Sequence, residues 1–396
     1  MLTVLWPHEP VFPEGTGLAV NQAPLRRTHA EADARLVVAR PRLPLAETIL
    51  PYLQRIDEAR WYSNFGPLLT ELEDRLSQRF PEGTRVITVA NGTQALALTL
   101  MAMELPAGGL VAMPAWTFVA TAHAVLQAGL VPWFVDVDEQ TWSLDPAALA
   151  ARLSQAPGPV VGAIPVSPFG RPLDLAAWRA FRETTGVPVL VDAAAGFDTA
   201  DDARLPLVVS LHATKVAGAG EGGFLATDDA DLAAKVRALS TFGFRGSRDS
   251  LLPATNAKLS EYTAAVGLAS LDGWPADRLR FLRAAQMLRI GLTGLPQVEF
   301  QPGWGADWIT SVCCVTLPQD AADAVEASLA AQGVDTRRWW GLGCHASPAF
   351  ADLPREPLDA TDRLGRRVIG LPFSIDLTSA EIGRIAAALR HALSGV

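Results

Sequence analysis

The chain is 396 residues long, 49% hydrophobic and 19% charged, with a formal net charge of −9. This composition excludes a disordered chain, and the length suits two domains of roughly 100–200 residues each. The acidic balance argues against nucleic acid or an anionic membrane as partner, since both need basic patches, but leaves room for an anionic small ligand at a locally positive site.

Residues 1–40 mix Pro, Gly and charge without periodicity and read as an extension with no clear element. Helical apolar spacing runs over 45–60, and again over 71–80 after a break at Gly66-Pro67. Strands and amphipathic helices then alternate. Strand 86–89 precedes a helix from near Thr93, strand 110–113 one from near Thr117, and strand 131–135 one from Pro146. Strand 160–166 leads to a helix from Asp174, and strand 187–192 closes the series. Such alternation predicts a mainly parallel sheet covered on both faces, with ligands at the carboxyl ends of its strands. Residues 224–227 read as a return strand before a helix over 229–240, and two long helices are expected over 259–271 and 275–292. A smaller α+β domain follows, with a strand over 309–317 and helices over 321–332 and 379–393. The expected division is therefore 1–40, 41–273 and 274–396. Cys313, Cys314 and Cys344 form neither a disulfide framework nor a spaced metal set, so no metal is expected. No apolar run reaches the roughly 18 residues of a membrane span, and the N-terminus lacks a basic stretch followed by an apolar one. The expectation is a cytoplasmic enzyme.

Lys215 lies between two predicted strands, in Ser-Leu-His-Ala-Thr-Lys215-Val-Ala-Gly-Ala-Gly-Glu-Gly-Gly. A lysine desolvated there becomes an amine able to form a Schiff base with a carbonyl. Asp192 ends an apolar strand upstream. An aldehyde-bearing pyridine cofactor needs this pair, a lysine for its carbonyl and an acid for its ring nitrogen, so the residues point to pyridoxal phosphate. Asn91-Gly92-Thr93-Gln94 at a helix start offers free amides and a hydroxyl for a phosphate, with Ser210 as a second contact. An ordinary N-cap turn uses the same residues. Phe118 and Trp116 offer aromatic faces for the ring, although aromatics at a helix start are more often core.

Several ordered blocks carry a resemblance. They are Asn-Gly-Thr-Gln-Ala-Leu at 91–96, Pro-Ala-Trp-Thr-Phe-Val-Ala-Thr at 114–121, Phe-Gly-Arg-Pro-Leu-Asp at 169–174 and Ser-Leu-His-Ala-Thr-Lys at 210–215. Gly-Glu-Gly-Gly at 220–223, Asn-Ala-Lys-Leu-Ser-Glu at 256–261 and Leu-Pro-Phe at 371–373 complete the set. Together they resemble the DegT/DnrJ/EryC1/StrS sugar aminotransferases of fold type I, from about residue 41 to the C-terminus.

The resemblance implies a large α/β domain with a seven-stranded-type, mainly parallel sheet and a small C-terminal α+β domain. It implies pyridoxal 5′-phosphate, passing through the pyridoxamine form, with L-glutamate as donor and a nucleotide-linked keto-deoxy-sugar as acceptor. It also implies a homodimer with shared active sites. Lys215 would be the Schiff-base lysine and Asp192 the ring-nitrogen partner. Gly92, Thr93, Gln94 and Ser210 would hold the phosphate, Phe118 would stack, and Asn256 would reach the phosphate from the other subunit. On the substrate side stand Trp116, His345, Lys258 and Arg337; Arg245, Arg248 and Arg338 are further candidates for a diphosphate, or plain surface charges. One departure is Ala195, where the family usually has Gln near the ring hydroxyl. Two other readings stay open: a sugar dehydratase on the same fold, whose mark would be histidine in place of Lys215, and a cofactor-bound regulator without turnover.

Overall fold

The computed structural model describes residues 35–318 and 320–395. Most of the expected 1–40 extension lies outside the described residues. Its last residues do not behave as a loose extension: Leu36 bridges Val334, Ala39 bridges Phe373, and Arg40 bonds Glu381 at 2.7 Å. Helices α1 (Ala46–Ala59) and α2 (Pro67–Ser77) come first. Then follow β1 (Arg85–Val89), α3 (Gly92–Ala102), β2 (Leu110–Pro114), α4 (Val119–Gln127) and β3 (Val131–Val135). The series continues with α5 (Pro146–Arg152), β4 (Val160–Ala163), α6 (Leu175–Thr185), β5 (Val191–Asp192), β6 (Leu207–Ser210), β7 (Gly223–Thr227) and α7 (Ala230–Leu239).

Strands β3-β2-β4 pair in parallel, and so do β5 and β6. Parallel bridges Ala163–Val189 and Val166–Asp192 join the two groups. Strand β7 then runs antiparallel between β6 and β1. The result is the expected mainly parallel sheet, in the order β3-β2-β4-β5-β6-β7-β1. Because successive strand residues face opposite sides, the strands divide their side chains between two cores. Leu207, Val209, Phe224 and Ala226 pack with α2, α6 and the following long helix, while Val208 and Leu225 pack with α3, α4 and α7. Burial on both faces is why these strands read as continuous apolar runs rather than alternating ones.

Past β7 the expectations need one correction. The two helices expected over 259–271 and 275–292 are one 31-residue helix, α8 (Glu261–Gly291), which runs through Pro275 and through the expected domain boundary. Proline removes one N–H and strains one turn, but burial of Trp274 beside it and of Ala284, Ala285 and Leu288 beyond it anchors the helix on both sides. A third core forms around β8 (Glu299–Phe300), β9 (Cys313–Thr316), α9 (Ala322–Ala331), β10 (Val368–Leu371) and α11 (Ser379–Leu393), while α10 (Asp359–Arg367), just before β10, packs its Leu364 with the core that holds Leu207 and Val209. Strand β9 is shorter than expected and carries buried Cys313 and Cys314 as core residues. Among the described residues no helix is long and apolar enough to cross a membrane.

Candidate active site

The ends of β1, β2, β5 and β6 and the start of antiparallel β7 meet at one edge of the sheet. Gly223 registers with both Val89 and Ser210, which sets the β1–α3 turn against the end of β6. The closeness demands glycine: a Cβ on Gly223 would lie 2.6 Å from Gly92 N, and one on Gly92 would lie 3.2 Å from Ser210 Cβ. Asn91 caps α3, its Oδ1 accepting the Gln94 N–H at 2.9 Å. The earlier amides, Gly92 and Thr93, have no intrahelical acceptor and carry the positive end of the helix dipole. Gln94 offers less than expected, since its side-chain amide donates to Gln127 Oε1 at 3.2 Å.

Lys215 sits in the loop between β6 and β7. Its N–H donates to His212 O at 2.8 Å, and cross-loop bonds from Ala213 to Gly220 O and from Ala219 to Leu211 O, both 2.7 Å, close the loop. Thr214 N–H donates to His212 Nδ1 at 3.2 Å, and the other ring nitrogen, Nε2, lies 3.6 Å from Glu221. Burial lowers the Lys215 pKa from its ordinary value, and the Asp192 charge pulls it partly back.

Asp192 is 4% exposed at the end of β5. Burial pushes its pKa up, while the Thr121 hydroxyl at 2.8 Å, the Ala194 N–H at 3.1 Å and the Lys215 charge favour the ionised form. Phe118, the N-cap of α4, is 57% exposed and presents a free ring. Its extended backbone is why α4 starts at Val119 rather than near Thr117.

Trp116 requires a correction. It is 2% exposed and its ring is held edge-on by Trp142, Phe169 and Trp340, so it builds the wall rather than a contact surface. His345 lies on a short turn that Cys344 N–H fixes to Ala115 O at 2.7 Å, against the end of β2. Its Nδ1 is buried without a hydrogen-bond partner, and burial lowers its pKa. Asn256 is exposed and accepts from Lys258 Nζ at 2.5 Å, while that ammonium lies 4.7 Å from the Phe242 ring centroid. Ala257 O, between them, accepts the Ala90 N–H at 2.8 Å, placing this segment beside the β1–α3 turn. Arg337 is exposed over the Trp339 ring, and Arg245 and Arg248 are exposed. Arg338 is committed to Asp323, Glu326 and Gly365 O, which makes it structural. The carbonyl of Ala195 lies 2.6 Å from where a Cβ on Gly170 would sit.

Two site features were missed in the sequence. Thr121 follows Phe118 by one helical turn, but nothing in its spacing says where its hydroxyl points. Trp340 stacks on Phe169 with centroids 4.0 Å apart, a contact between segments far apart in the chain.

The glycine-lined cradle at the start of α3, the buried carboxylate and the desolvated lysine fit pyridoxal phosphate at its phosphate, ring nitrogen and carbonyl. The arrangement therefore defines a pyridoxal-phosphate-dependent enzyme of fold type I. The chain belongs to the DegT/DnrJ/EryC1/StrS aminotransferase family, which it matches over residues 44–390. The UDP-2-acetamido-2-deoxy-3-oxo-D-glucuronate aminotransferase of Pseudomonas aeruginosa is 32% identical over 338 residues, covering 82% of this chain and 91% of that protein. Protein Mb3436c of Mycobacterium bovis is 31% identical over 373 residues, 89% of each chain. The crystal structure of DesI in the presence of its TDP-sugar product is 34% identical with a TM-score of 0.81, covering 92% of this chain and 94% of that one.

Proposed function

We propose that this aminotransferase moves an amino group from L-glutamate to a nucleotide-linked keto-deoxy-sugar, in the cytoplasm, as a homodimer with shared active sites. The observation that carries the reading is the Lys215–Asp192 pair at the strand ends, beside an anion-binding helix start. The names of relatives that aminate nucleotide-linked sugars support the acceptor class. Bound pyridoxal phosphate supplies an electron-withdrawing ring that stabilises negative charge on the carbon losing its proton. Asp192 keeps the ring nitrogen's proton in place. Lys215, biased toward its neutral amine by burial, takes the substrate proton and returns it at the neighbouring carbon. Gly92, Thr93 and Ser210 hold the phosphate, and Phe118 covers the ring. On the sugar side His345 lines the turn held at the end of β2, and Lys258 and Arg337 meet the diphosphate.

Two features support the dimer. Asn256 is exposed beside the cofactor's phosphate end. Trp61, Tyr62, Phe242, Leu251 and Tyr262 are exposed large apolar residues, and Tyr62 stacks on Tyr262 at 6.3 Å. Apolar surface that is contiguous, as where Tyr62 meets Tyr262, is the kind a partner covers.

The test incubates the purified holoenzyme with L-glutamate and a panel of nucleotide-linked keto-sugars, with products read by mass. One sugar should gain an amine in place of its carbonyl oxygen, and Lys215→Ala should form none. A cofactor band that responds to glutamate while no sugar in the panel is aminated would refute the acceptor class. A band unmoved by glutamate would refute the donor.

A further inference from the structure

Several helix threonines in this chain turn their hydroxyls back to their own helix, while Thr361 in the first turn of α10 instead donates across the fold to Asp136 Oδ1 at 2.7 Å. Thr99 donates to Ala95 O at 2.6 Å, Thr70 to Gly66 O at 3.0 Å and Thr185 to Phe181 O at 2.7 Å, the ordinary habit of a helical threonine. Thr121, in the first turn of α4, follows the outward pattern of Thr361. Its buried hydroxyl reaches across to Asp192 Oδ2 at 2.8 Å, 71 residues away. An ionised carboxylate only accepts, so Thr121 is the donor, and its oxygen is left to accept from Thr117 at 3.4 Å. That second contact is too long to be strong.

The groups that favour charge on Asp192 are the Thr121 hydroxyl, the Ala194 N–H and the Lys215 ammonium. Lys215 cannot serve throughout turnover, because its charge changes each time it takes or returns a proton. The two neutral donors remain constant. Of these, the Ala194 amide belongs to the backbone beside Asp192 itself, whereas the threonine hydroxyl ties the carboxylate to the helix whose N-cap is Phe118.

We infer that Thr121 is a positioning residue, which locks the Asp192 carboxylate in one orientation and holds it ionised, so that the proton on the cofactor's ring nitrogen stays on the ring. The inference rests on the pyridoxal-phosphate reading and adds a residue to it. Without the Thr121 donor, Asp192 is a stronger base, and the shared proton moves toward the carboxyl oxygen. The ring then withdraws electrons less, and proton removal from the substrate carbon slows while substrate binding is untouched.

The test loads wild type, Thr121→Val and Thr121→Ser with pyridoxal phosphate carrying 15N in the ring, and records the nitrogen resonance together with the glutamate half-reaction. In Thr121→Val the resonance should move toward the unprotonated position. The half-reaction rate should fall about tenfold with little change in the glutamate concentration for half-maximal rate, the effect of losing one hydrogen bond to a charged group. Thr121→Ser, which restores the donor, should recover both. If the valine variant does not fold by circular dichroism, Thr121→Ala removes the same donor without adding a group and carries the same expectation. A wild-type nitrogen resonance in the donor-less variant would overturn the inference, as would a serine variant that recovers neither property. Failure of wild type to take up the cofactor would overturn the cofactor reading as well, and is recognised before any variant is compared.

Discussion

Burial acts on Lys215 and Asp192 in the same sense, pressing each toward its neutral form, while their mutual attraction resists. A proton-transfer amine needs that bias, and a ring-nitrogen partner needs the opposite, which is why the donors around Asp192 matter more than those around Lys215. A second carboxylate shows the ordinary case. Arg204 bonds Asp202 at 2.9 and 2.5 Å, holding its pKa at about 2 against the usual 3.8. A depressed carboxylate pKa gives stability that is present above 3.8 and lost as the pH falls toward about 2. Asp202→Asn should therefore melt below wild type near neutral pH, and the gap should close across that acid window; a gap unchanged by acid would contradict the assignment. Lys215 and Ser210 could be singled out in the sequence because they stand in one ordered block that begins at a strand end, and Asp192 because it closes an apolar strand. The hydroxyl of Thr121 could not, because its partner is set by how α4 lies over β5.

At the level of elements, helix α2 depends on a residue nearly two hundred positions away. Its N-cap, Gly66, has no side chain, and buried Glu261 from the start of α8 accepts from Leu68 N at 2.8 Å and Leu69 N at 3.0 Å. A Cβ on Gly66 would lie 2.7 Å from that carboxyl carbon, so the glycine and the glutamate fit each other. Glu261→Ala leaves two amides unsatisfied at a buried helix end and should cost about 2–3 kcal/mol in urea unfolding. Glu261→Gln, which keeps one acceptor, should lose less. Helix α10 is treated alike: Asp136 accepts from Ala360 N and Thr361 N, both at 2.8 Å, where the N-cap Leu358 offers nothing. These long-range caps explain why apolar spacing placed the start of α2 too late. Periodicity reports the buried face, whereas the helix end is settled by a group from elsewhere in the fold.

Across the whole molecule, the sheet order gathers chain segments from residue 91 to residue 257 around one edge, and the exposed Asn256 segment lies beside it. If two copies share sites, an Asn256 from one subunit serves the Lys215 of the other. Mixed dimers of Lys215→Ala and Asn256→Ala subunits should then regain activity at one of their two sites, about half that of wild type per two-site dimer; activity no higher than in either parent would count against the shared site. The alternation of strands and helices, the mainly parallel sheet and the lysine–aspartate pair were determined by the amino-acid sequence itself, since each is written in local spacing and residue type. The continuous helix through Pro275, the burial of Trp116, the cap from Glu261 and the donor from Thr121 were decided only by tertiary structure. Each depends on where a distant segment comes to rest, and no local pattern encodes the direction of a hydrogen bond across the fold.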